Sequence, residues 1–160
     1  MHDLQALIAN SEPLRRHAQS LRTAVLCELP QGLALLPLTD VVLAELAVGQ
    51  GDVPSALLPT LTRGALVFAV AASQATPVAF VSTCYFGGQG TQDALVWRQG
   101  ELIFSPRSAP YAADAWPNSP ISRALRTLGI VADDGSDEFD TVGLGKYRTT
   151  EKWAASVRAV

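Results

Sequence analysis

Residues 78–104 read VAFVSTCYFGGQGTQDALVWRQGELIF. Within this stretch Val78 to Phe86, Thr91 to Arg98 and Glu101 to Phe104 are three runs of strand length, rich in β-branched and aromatic residues. They are joined by Gly87-Gly88-Gln89-Gly90 and by Gln99-Gly100. Glycine at such joints lets the chain reverse between antiparallel neighbours, so the stretch predicts a three-stranded meander.

Upstream, Leu61, Ala65, Phe68, Ala69 and Ala72 recur at helical spacing, although Val67, Phe68 and Val70 would also suit a strand. The length of the segment, Thr60 to Gln74, favours a buried helix. Further back, Thr23 to Leu29 and Leu33 to Pro37 flank Pro30-Gln31-Gly32 and predict a first hairpin. Thr39 and Asp40 then supply the cap and first-turn acid of a helix through Val41, Val42, Leu43, Glu45 and Leu46, which Gly49 ends. The opening residues read as helical: a short segment over Asp3 to Ala9, and a second after Ser11 with Pro13 in its first turn.

Downstream, a loop rich in Pro and Ser runs from Ser105 to Asn118. Ser119 and Pro120 open a helix with Ile121, Ala124, Leu125 and Leu128 on one face, and Gly129 ends it. A loop over Asp133 to Asp140 leads to a short helix around Glu151 to Val157. Strands joined by hairpins, with helices between the groups, predict a single α+β domain: an antiparallel sheet of two hairpins with helices packed mainly on one face.

The 160 residues suffice for one sizeable core. Only 17% are charged, below the usual figure of about 25%. A low charge content with positive mean hydropathy leaves less material to solvate an open surface, which points to a covered surface, either a protein partner or self-association as a homodimer. The net charge of −3 offers no field for nucleic acid or anionic lipid. The N-terminus lacks the basic and then apolar pattern of a signal peptide, and the apolar run Ala65 to Ala72 is far short of a membrane span. With only Cys27 and Cys84, both in strand-like runs, the expected compartment is the reducing cytoplasm.

Candidate chemistry is sparse. The glycine turn joins strand to strand, whereas dinucleotide and phosphate loops need a strand followed by a helix. It is either a plain wide hairpin or a place where bare backbone at Gly87, Gly88 and Gly90 admits a ligand, with Tyr85, Gln92, Asp93 and Arg148 as polar groups. Cys84 has no histidine at a local spacing, because His2 and His17 both lie near the N-terminus. No Cys-x-x-Cys or His-x-x-x-His occurs, and the acidic stretch has its glycine too early for a calcium loop, so neither metal nor cofactor is expected. That stretch holds Asp133, Asp134, Asp137, Glu138 and Asp140. Without these five the net charge would be +2 (−3 minus −5), so the acidity is local. It reads either as a solvated loop balanced by Lys146, Arg148 and Lys152, or as a recognition loop for a basic partner with Phe139 as an apolar anchor.

The patterns Tyr85-Phe86-Gly87-Gly88-x-Gly90-x-Gln92 with Trp97, and Asp137-Glu138-Phe139-Asp140-x-x-Gly143-Leu144-Gly145 with Arg148 and Trp153, resemble a group of small bacterial proteins associated with toxin immunity. The resemblance covers about the second half of the chain. It implies a cytoplasmic, non-enzymatic inhibitor that binds a toxin, with no catalytic residues to carry over. The alternative is a small enzyme or ligand-binding domain with its site beside the Gly87 to Gly90 turn.

Overall fold

In a computed structural model of the chain, residues 1–87, 89–105 and 116–158 are described. Gly88 of the glycine turn and most of the expected 105–118 loop lie outside them. Strand β1 (His2–Asn10) leads to helix α1 (Ser11–Ala18), strand β2 (Cys27–Glu28), a single 3-10 turn (Pro30–Gly32) and strand β3 (Leu33–Pro37). Helices α2 (Asp40–Leu46) and α3 (Arg63–Ala72) precede the meander of β4 (Val78–Phe86), β5 (Gln89–Arg98) and β6 (Glu101–Phe104). Helices α4 (Pro120–Thr127), α5 (Glu138–Thr141) and α6 (Thr150–Arg158) complete the fold. The six strands form one antiparallel sheet in the order β2-β3-β1-β4-β5-β6.

The fold is α+β with an antiparallel sheet, as expected, but its helices cover both faces of the sheet. Strand alternation divides the core in two. Leu7, Ala34, Leu36, Val78, Phe80, Leu95 and Trp97 face α1, α2 and α3. Their strand neighbours Ile8, Leu33, Leu35, Ala79, Val81, Ala94 and Val96 face α4 and α6. This arrangement also corrects the helix expected over Asp3 to Ala9. Leu4, Ala6 and Ile8 point to one core while Leu7 and Ala9 point to the other, all of them fully buried, so the central strand is apolar on both sides and has no alternation for the sequence to display.

The first hairpin is present but short, since β2 pairs with β3 only through Cys27↔Leu35 and Glu28↔Ala34. Residues 22 and 23 leave the sheet because their amides donate to the Glu45 carboxylate at 2.8 and 2.9 Å. Helix α2 has the expected cap: Thr39 Oγ1 accepts from Val42 N at 3.4 Å. Ser119 occupies the cap position of α4 but makes no side-chain bond to the helix. The β4–β5 turn is tighter than the expected four residues, because Phe86 pairs with Gln89. Gly87 takes the left-handed conformation that a tight hairpin turn requires (φ +60°).

Candidate functional site

The segment Asp137 to Arg148 braces the N-terminal strand. Asp137 caps α5 by accepting from Asp140 N at 2.8 Å. Glu138, next to it, is buried and accepts Nε and Nη2 of Arg126 at 2.7 and 3.2 Å. Burial alone would raise the Glu138 carboxyl, but the Arg126 guanidinium outweighs it and holds the group below the usual carboxylate range. Phe139 N donates to Ser122 Oγ, a fully buried hydroxyl on α4, and the Phe139 ring lies 5.9 Å from that of His2.

Gly143 then turns the chain with φ +77°, which places Leu144 in the core and turns its carbonyl toward His2 Nε2 at 3.2 Å. A carbonyl only accepts, so Nε2 donates to it, while Nδ1 on the other side of the ring lies in hydrogen-bond contact with the Thr83 hydroxyl at 2.7 Å. Thr83 Oγ1 accepts from Leu4 N in turn. Beyond it, Asp3 N donates to the Arg148 carbonyl at 2.7 Å, and Gln5 N donates to Thr150 Oγ1 at 2.9 Å. Residues 148–150 thus lie along the edge of β1 ahead of Ala6, where its pairing with β3 begins.

The acidic stretch is consequently divided. Asp137 and Glu138 are buried and committed to internal bonds, and Phe139 is half-buried. Asp133, Asp134 and Asp140 are exposed, and so is Arg148, whose carbonyl does the bracing. The Asp140 carboxyl is raised by partial burial and by the neighbouring Asp137.

Around the glycine turn, the polar groups also serve the fold. Gln92 Oε1 accepts the amide of Ile121 at 3.2 Å, which gives the start of α4 the partner that Ser119 does not supply. The Tyr85 phenol bonds to Gln92, and burial raises its pKa. Gly90 lies opposite Tyr85, and a Cβ there would fall 1.9 Å from the Cys84 carbonyl oxygen, so only glycine fits. Asp93 is half-buried, and burial pushes its carboxyl up. Cys84 is exposed at the strand end, while His17 packs edge-on against Phe68, with ring centroids 4.7 Å apart. Cys27 is buried, donates to the Trp153 carbonyl at 3.3 Å, and has its thiol pushed up by burial.

A second acidic feature was invisible in the sequence. Where β3 ends, α2 and α6 both begin beside the start of β1, and an open cleft of roughly 340 Å³ lies between them. Its lining includes Asp3, Gln5, Asp40, Leu43 and Glu151, and no basic side chain. Asp40 and Glu151 sit in the first turns of their helices, where the helix dipole favours negative charge. These three acids are far apart in the chain, so no motif could have grouped them. Among the described residues, no three His, Cys, Asp or Glu side chains converge to hold a metal ion, and no helix is long and apolar enough to cross a membrane. No family model, curated protein or solved structure matches the chain. What the fold and surface define is an α+β protein with a braced acidic surface.

Proposed function

We propose that the protein is a non-enzymatic binding protein of immunity type, a cytoplasmic inhibitor that neutralises a basic toxin through the acidic segment Asp133 to Asp140. The observation that carries this reading is the division of labour within the segment. Glu138 and the Phe139 amide tie it to α4, and Asp137 caps its single helical turn, while Asp133, Asp134 and Asp140 stay exposed. A braced negative surface loses little ordering entropy on binding, and it steers a positively charged partner into contact. The resemblance of the second-half patterns to immunity-type proteins points the same way, and so does the use of Tyr85 and Gln92 in supporting α4, which leaves the glycine turn with less to offer a ligand.

The test is co-expression of the chain with the product of the neighbouring gene, read as rescue of cell growth and as a complex on gel filtration. Changing Asp133, Asp134 and Asp140 together to Lys is expected to abolish rescue, slowing association by about tenfold or more at low salt, without altering the melting temperature. Absence of a complex, or full rescue by the triple variant, would sink the proposal.

A further inference from the structure

Strand register divides the sheet face under α1, α2 and α3 into rows. Leu7, Phe80 and Leu95 make one row across β1, β4 and β5, and all three are buried. The next row toward the β4–β5 turn is Gln5, Ser82 and Asp93, and the one beyond it is Asp3, Cys84 and Thr91. Side chains two residues apart on a strand share a face, so both rows continue the face that the helices cover higher up. Here the cover ends. Asp3, Cys84 and Thr91 are exposed, and Phe86, one row further on, is 79% exposed. On the opposite face the same stretches of β1 and β4 are closed over, with Leu4 and Thr83 buried.

Two features of the open rows call for a group from outside the chain. Ser82 is 5% exposed, and its hydroxyl has no hydrogen-bond partner among the described residues. A polar group that has lost most of its water without gaining a bond is unfavourable, and an incoming polar group on this face relieves it. The second feature is charge. The open rows and the cleft that adjoins them at Asp3 and Gln5 hold the carboxylates of Asp3, Asp40, Asp93 and Glu151 and no basic side chain. Among the described residues none of the four is in an ion pair. Asp93 is half-buried, and its carboxyl is raised by burial with no counter-charge beside it to offset the lost water.

We infer that this open end of the sheet docks a basic segment of a partner protein, whose lysine or arginine side chains meet these carboxylates while an apolar side chain packs on Phe86. Charge complementarity sets the sign of the occupant. Shape sets its kind: three strands give a face about 10 Å across, and a broad open face suits an extended chain segment where small molecules favour enclosed pockets. Phe86 supplies the aromatic anchor at its rim. The surface is separate from the Asp133 to Asp140 segment, whose ties run to Ser122 and Arg126 of α4 on the other side of the sheet. It therefore holds whether or not that segment binds a partner.

The probe is the acetylated peptide Lys-Leu-Lys-Leu-Lys, titrated into the full chain at low salt and followed by NMR. The amides of Asp3, Gln5, Ser82 and Cys84 are expected to shift and saturate with a Kd below about 1 mM, weakening by about fivefold or more when salt is raised to about 0.2 M. Asp3→Lys and Glu151→Lys, each at an exposed site, are expected to weaken binding by about fivefold or more. Phe86→Ser is expected to weaken this peptide by about threefold and to leave trilysine unaffected. Changing Asp133, Asp134 and Asp140 together to Lys is expected to leave the shifts in place, which separates this surface from that segment. Circular dichroism and the melting temperature of each variant report whether the fold is intact. No shift at these amides up to about 5 mM peptide overturns the inference. So do shifts confined to residues 133–140, equal binding of Glu-Leu-Glu-Leu-Glu, or an unchanged affinity in both folded charge-reversed variants.

Discussion

Arg126 and Glu138 are unequal partners. The Glu138 side chain is 6% exposed and the Arg126 side chain 48%, so only one of the two loses its hydration when the pair is broken. Arg126→Ala is expected to destabilise the fold by ~3 kcal/mol, because it strands a buried carboxylate, whereas Glu138→Gln leaves a half-solvated guanidinium and should cost only ~1 kcal/mol. Urea denaturation of both variants at neutral pH measures the difference. The pair also sets a pH dependence. The folded Glu138 pKa lies below its unfolded value, so its contribution is present above the ordinary carboxylate range and is lost as pH falls through the lower, folded value. Acid should therefore narrow the gap between wild type and Arg126→Ala. At this scale the sequence displays five carboxylates in eight residues as one acidic run. Which of them are buried depends on Ser122 and Arg126, more than ten residues away, and no local pattern records that.

Elements were most legible where local chemistry sets their ends. Thr39 caps α2 as its sequence predicts, and Thr62, which the sequence did not single out, caps α3 by accepting from Ala65 N at 3.2 Å. The meander was legible because its glycines and its alternation agree. Strand β1 was not, because a strand covered on both faces hides its period, and the 133–140 loop concealed the single turn of α5. Helix packing adds a constraint that propensity alone would get backwards. Gly64 stands in the first turn of α3, where alanine would ordinarily gain up to about 1 kcal/mol. A Cβ there would lie 2.3 Å from the Leu46 carbonyl oxygen, a backbone atom that cannot swing away. The clash outweighs the propensity, and Gly64→Ala is expected to lose ~1–3 kcal/mol as α3 is pushed off the end of α2. Thermal melts of this variant check the sign.

For the whole molecule, the first strand and residues 148–150 meet at the sheet centre. Strand β1 carries β3 and β4 on its two sides, and the tail completes its free edge through Arg148 and Thr150. Amides of Leu7 and Ile8, paired on both sides beneath both cores, are expected to exchange with solvent only through global unfolding. Those of Gln89 to Thr91, at the exposed hairpin end, should exchange orders of magnitude faster. Hydrogen exchange followed by NMR measures both, and equal protection would contradict the order of stability given by this topology. The same closure explains why residues 143–148, distinctive in the sequence, bear on β1: they hold its first residues in register.

By itself the sequence determines the antiparallel meander, the threonine cap of α2 and the local acidity of the tail, because each is written in neighbouring residues, and the length of the 60–74 run favours the helix that α3 forms. Only the tertiary structure decides that residues 3–9 form a central strand, that helices cover both faces, that Asp137 and Glu138 turn inward, and that Asp3, Asp40 and Glu151 share a cleft. Each of these depends on a contact between segments tens of residues apart, where burial and pairing override the local pattern.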